Sequence, residues 1–253
     1  MNYLSARIAS HTFKSLLREK IIFNVFGVTI LFLFFGYLAS LLVYGRQDRV
    51  MMDMGQVLNA LSIFAVALGI GARFLRQEIE SKTIYLYLTR PISRSSFFLG
   101  RFIGMSSFAA LNFVILTLIL SAAIVLMNGN LSTAFLQSSI LTFVEALILL
   151  AGALLFSFWL RPALVFMVML AFIILGHNHQ MIQSLQANPE TQSPVFVGLT
   201  ALTPNFSLFL MSDRVYYEQA LSAHDFTNAL LYGCVWLFFF LLLGNAVFSR
   251  KNL

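Results

Sequence analysis

Long apolar stretches separated by short charged segments set the architecture of this chain. A bilayer-spanning helix needs roughly 20 predominantly apolar residues, and residues 21–44, 54–75, 102–127 and 226–248 each supply such a run. The apolar stretch 134–176 is about twice as long as one crossing requires, and Arg161-Pro162 divides it. Proline suits the first turn of a helix and arginine can snorkel to an interface, so this stretch predicts two spans, 134–160 and 162–182. The second is apolar only as far as Gly176 and completes its length with polar residues. The pattern predicts an all-α integral membrane protein with six transmembrane helices, in one transmembrane domain over residues 1–253.

Two segments outside the spans carry helical periodicity of their own. In residues 1–20, Ala6, Ala9, Phe13 and Leu16/Leu17 recur at helical spacing while Arg7, Lys14 and Arg18 fall elsewhere on the wheel, which predicts an amphipathic interfacial helix. The apolar run behind it exceeds a signal-peptide core and has no small-residue cleavage site, so it reads as a retained span. Residues 183–225 form the long outer loop, in which Val195–Leu202 and Phe206–Met211 are too short to cross and are broken by Pro204. These pieces predict re-entrant or interfacial helices.

Composition agrees with a membrane location and charge adds an orientation. With 59% hydrophobic and 10% charged residues, the chain has too little charge to solvate the surface of a soluble protein of 253 residues. The net charge of +6 sits between apolar runs rather than on a water-facing patch, which argues against nucleic acid as a partner. Of the 16 Lys and Arg residues, all but Arg46, Arg49 and Arg214 fall on one side of the six-span layout. The positive-inside rule makes that side cytoplasmic, with both termini there, and predicts a multi-pass protein of the cytoplasmic (inner) membrane. A single cysteine, Cys234, permits no disulfide framework or cysteine metal cluster within one chain.

Charge concentrates between the second and third spans, in residues 76–101. The segment reads Arg76-Gln77-Glu78-Ile79-Glu80-Ser81-Lys82-Thr83, then Leu86 and Leu88, then Arg90-Pro91-Ile92-Ser93-Arg94, and finally Leu99-Gly100-Arg101. Together with the six spans and the basic ending Phe248–Leu253, this resembles the membrane subunits of the ABC type-2 exporter family, one branch of which is associated with maturation of multicopper enzymes. Lys82 stands where that family usually has Gly, and Arg101 where it usually has Lys.

The resemblance implies a permease half that works as a dimer with a second copy of itself. It also implies a cytoplasmic coupling helix in residues 76–101, docked on a separate ATP-hydrolysing subunit through Glu78, Glu80, Thr83, Arg90, Pro91, Arg94, Gly100 and Arg101. ATP and Mg would be bound by that partner, with no cofactor and no catalysis on this chain, and an outer-side accessory protein is a further partner. In residue terms, helix 78–88 offers Glu78, Glu80 and Lys82 to a polar partner, while Pro91 fixes a turn and Arg94 can make bidentate contacts. The plainer reading is a solvated basic loop that only sets topology. No Gly-x-x-x-x-Gly-Lys-Ser/Thr is present, so nucleotide binding by that route is excluded for this chain.

Glu145 is the only acidic residue inside a predicted span, and an intramembrane carboxyl marks a substrate path or a dimer seam unless it sits near a hydrated interface. Met51-Met52-Asp53-Met54, His177, His179 and Met181 are all predicted at the outer face, and thioether with imidazole suits copper. Gap-filling methionines and interfacial histidines explain the same residues, and sequence does not bring the two groups together. An intramembrane enzyme is the weaker alternative, since neither His-Glu-x-x-His nor paired intramembrane carboxylates occur. A scaffold that transmits conformational work from the same ATPase would carry the same loop as an exporter of unknown substrate.

Overall fold

A computed structural model describes residues 3–18, 27, 30, 34, 36–38, 41, 47–80, 93–127, 129–187, 193–211, 214, 215, 217 and 219–250. The described residues are helical, without strands. Helix α1 is Tyr3–Leu17, α2 Gln47–Glu80, α3 Arg94–Leu126, α4 Thr133–Phe156, α5 Pro162–His177, α6 His179–Ala187, α7 Pro194–Leu202 and α8 Ala223–Arg250. A short 3-10 turn, Phe206–Leu208, lies between α7 and α8. The predicted first span, 21–44, falls almost entirely outside the described residues.

Four helices, α2, α3, α4 and α8, are long and apolar enough to cross a membrane, and α5 with α6 makes a fifth if that bent pair is one span. Apolar side chains on their outer faces, among them Leu118, Phe166, Met167, Val235 and Leu242, are exposed. In water such a surface would promote association, whereas lipid covers it at no cost.

Helix boundaries follow local chemistry. Ser93 caps α3, accepting from the Ser96 amide at 3.2 Å, and Ser132 caps α4 by accepting from the Phe135 amide at 3.2 Å. Arg161 is extended (φ −69°, ψ 154°), as the residue before a proline prefers, and Pro162 opens α5. Within the predicted span 162–182, two helices meet at a 65° bend. Asn178 marks the break, its side chain donating back to the Ile174 carbonyl at 2.8 Å.

Helix α4 is the hub. It packs against α2, α3, α5 and α8, and it is buried on nearly every face, as its largely apolar sequence requires. The short pieces between α5 and α8 fold back onto this bundle. Phe206, Phe209, Met211 and Val215 are buried, and α6 is tied to α7 by the Gln186 amide donating to Thr200 Oγ1 at 3.0 Å. Short helices thus stand where the sequence predicts them in 183–225.

Helix α1 forms where predicted, with two differences. It runs lengthwise along α3 in the same direction: Ser5 and Ile8 meet Gly100, Ala9 and Thr12 meet Gly104, and Phe13 meets Phe108. Its buried face is Ser5, Ile8, Ala9, Thr12 and Leu16, while Ala6 and Leu17 are exposed, a rotation of the predicted face. Thr12 can enter that face because its hydroxyl donates to the Ile8 carbonyl at 2.8 Å and so buries no free donor.

Candidate functional site

Two arrangements carry chemistry: the charged segment at one end of the bundle and a polar cavity within it. The segment 76–101 is helical at both ends rather than a loop throughout. Helix α2 continues through Arg76, Glu78 and Glu80, and α3 begins at Arg94, so a separate helix starting at 78 is corrected to a continuation of α2. Thr83, Arg90 and Pro91 lie outside the described residues.

The length of these two helices is informative. With 34 and 33 residues, α2 and α3 are each about 50 Å long at ~1.5 Å per residue, against a hydrocarbon core of about 30 Å. Absorbing that surplus by tilt alone would take about 53°, beyond the range of transmembrane helices. At one end Asp48 lies beside Gly129 and Ile124, so the two helices are level there. Their near-equal lengths then bring the end of α2 at Glu80 and the start of α3 at Arg94 to the same end of the bundle.

That end is tied together by aromatic rings. Phe97 stacks on Phe248 at 5.9 Å, and Phe158 stacks on Phe248 at 5.7 Å. Phe98 joins them at 6.2 Å from Phe158 and 6.1 Å from Phe248. Arg94 donates to the Ser249 carbonyl at 3.2 Å. The start of α3, the α4–α5 turn and the end of α8 are thereby fixed to one another.

Gly100 and Arg101, expected among residues presented to a partner, face inward instead. Arg101 is 2% exposed; its Nη1 donates to Thr12 Oγ1 at 2.8 Å, and its guanidinium lies 5.1 Å from the Phe97 ring centre. Gly100 lets the α1 backbone approach, since a Cβ there would come within 2.8 Å of the Ser5 carbonyl. Both positions hold α1 to α3, and their signal is non-local, which is why a loop motif does not reveal it.

The second arrangement surrounds Glu145. This residue is halfway along α4 and 3% exposed, which places it in the bundle interior rather than at an interface. His177, at the end of α5, brings Nε2 to 3.6 Å from Glu145 Oε1. Its Nδ1 lies 3.0 Å from the Ile173 carbonyl, which can only accept, so Nδ1 carries hydrogen.

A cavity of about 270 Å³ opens beside this pair, lined also by Gln56, Ser138, Thr142 and apolar side chains. Gln56 Nε2 donates to the Phe135 carbonyl at 3.1 Å and to Ser139 Oγ at 2.9 Å. Glu145 Oε1 and Gln56 Oε1 are buried with no hydrogen-bond partner among the described residues. Sequence reasoning misses Gln56, Ser138 and Thr142, although Ser138, Thr142 and Glu145 recur at helical spacing on an otherwise apolar span.

The copper-type residues disperse. Met51 and Met52 are buried in the core, Met54 and Met181 are exposed, and His177 turns toward Glu145. Among the described residues no group of three or more His, Cys, Asp or Glu is placed to hold a metal ion. Compared with known proteins, the chain matches no family model and no curated sequence.

Proposed function

We propose that this chain is the membrane subunit of an ABC transporter of the cytoplasmic membrane. It has six spans and cytoplasmic termini, works as a homodimer, and is coupled through residues 76–94 to a separate ATP-hydrolysing subunit that binds ATP and Mg. The pair exports or extracts a substrate along a path that includes the Glu145 cavity. The observation that carries this reading is the length of α2 and α3, each longer than one crossing needs, with Glu80 and Arg94 at the same end. On this reading both helices outrun the membrane at that end, and α3, braced by α1 and locked by the Phe97–Phe98–Phe158–Phe248 cluster, is the stiff arm of a lever.

Closure of the partner around ATP moves such a lever as a unit and so biases the packing of α2 and α3 against α4. Glu78, Glu80, Thr83, Arg90, Pro91 and Arg94 form the gripping surface. Co-purification in mild detergent tests the partner, and Glu80→Ala and Arg94→Ala test the grip. Both variants should insert and fold as the native chain does while ATPase association falls about tenfold, the scale of a lost charge-assisted hydrogen bond. Native association in both variants, or the absence of any co-purifying ATPase, refutes the reading.

A further inference from the structure

The cavity beside Glu145 has a chemistry that selects its occupant, independently of any ATPase. Among the described residues, its buried polar side-chain atoms without hydrogen-bond partners are acceptors, Glu145 Oε1 and Gln56 Oε1. His177 adds to them: with Nδ1–H held on the Ile173 carbonyl, the neutral ring turns a lone pair on Nε2 toward Glu145 Oε1, 3.6 Å away. With the carboxyl ionised, two acceptors then face each other without a donor between them, which is destabilising in an apolar interior unless a guest supplies one. Ser138 and Thr142 line the same space with hydroxyls that also accept.

An anion is repelled by this set, and a purely apolar guest leaves the oxygens unpaired. A metal ion would need more ligands than Glu145 and His177 provide, since no third His, Cys, Asp or Glu joins them among the described residues. The remaining walls are apolar, formed by Val57, Leu61, Phe64, Ile173, Phe209 and Met211. Val57 and Leu61 are 49% and 55% exposed, so the cavity opens sideways through an apolar surface.

We propose that this cavity binds a primary ammonium carried on a small apolar body. The N–H donors of the ammonium supply the hydrogen between Glu145 Oε1 and His177 Nε2, 3.6 Å apart, and its apolar body lies against Val57, Leu61 and Phe64. At about 270 Å³ the cavity is at the small end of ligand sites, which limits the guest to a body about the size of a phenethyl group.

The test uses the full-length chain in phosphatidylcholine nanodiscs, with radiolabelled phenethylammonium as the probe and empty nanodiscs to subtract partition into lipid. One saturable site per chain is expected, with affinity weakened roughly 10- to 100-fold in Glu145→Gln, the range for losing a hydrogen bond to a charged group. Phenethyl alcohol, close in size but neutral, should compete at least about tenfold more weakly. Thr142→Leu narrows the cavity while keeping the carboxyl, and should weaken binding even if Glu145→Gln does not fold, thermal melting serving as the control for both. Repeating the titration with phosphatidylethanolamine present locates the native source: weaker apparent binding assigns the ammonium to a lipid headgroup, and unchanged binding to a free amphiphile. The inference is overturned if the folded native chain shows no saturable site, if folded Glu145→Gln or Thr142→Leu binds as the native chain does, or if the alcohol displaces the probe equally well.

Discussion

Arg101 shows how a single side chain changes meaning between sequence and structure. Next to Gly100 at the end of a charged segment, it resembles part of a docking motif; in the fold it is buried between α1 and Phe97. Burial of a guanidinium costs several kcal/mol unless its donors are satisfied, and Thr12 Oγ1 supplies an acceptor at 2.8 Å. Thr12→Val keeps the shape of that side chain and removes the acceptor. We expect it to destabilise the protein by about 1–3 kcal/mol, the cost of a buried donor left without that partner, read as a lower midpoint of thermal unfolding in detergent. A midpoint equal to that of the native chain would show that the Arg101–Thr12 bond contributes nothing. Because Thr12 and Arg101 stand 89 positions apart, no local pattern announces the pair. Glu145 is a contrasting case, since a carboxyl alone in an apolar span is conspicuous from sequence, and only its partner His177 required the fold.

At the scale of elements, the long apolar runs specify helices directly, and their caps are legible in Ser93, Ser132 and Pro162. What the sequence leaves open is which helices touch, because in lipid every apolar face is equally acceptable until small residues permit close approach. Gly104 is such a residue: a Cβ there would come within 2.5 Å of Thr12 Cβ and 2.6 Å of the Ala9 carbonyl. Backbone cannot retreat as a flexible side chain can, so Gly104→Val forces α1 away from α3. Overpacking of this kind costs about 1–3 kcal/mol, and it should also expose the α1 face. A cysteine at Ile8, buried in the native packing, should react slowly with a water-soluble maleimide in the parent background and at least several-fold faster with Gly104→Val. Equal rates would mean that α1 is not held by this seam.

The whole molecule is organised by its two ends. Aromatic contacts bind the start of α3, the α4–α5 turn and the end of α8 into one layer, and Arg94, Arg161 and Arg250 sit on or beside that layer. At the opposite end, Gln137 bridges to Leu221, accepting from its amide at 2.8 Å and donating to its carbonyl at 3.2 Å, which sets the start of α4 beside the start of α8. The sequence assigns the same grouping from charge alone, because the positive-inside rule needs only the order of spans and basic residues. It cannot supply the full length of α2 and α3, which depends on helix continuing through charged residues that interrupt the apolar pattern. Single cysteines, in a Cys234→Ser background, separate fold from orientation. Arg161→Cys and Arg250→Cys should be labelled from the cytoplasm only, and Leu131→Cys and Asp225→Cys from outside only, using a membrane-impermeant maleimide on intact cells and on inverted vesicles. If Arg161 and Arg250 are labelled from opposite sides, the aromatic layer that joins Phe158 to Phe248 is wrong and the fold fails. If the four positions keep their pairing but with the sides exchanged, the fold stands, the lever points away from ATP, and a cytoplasmic ATPase cannot be its driver.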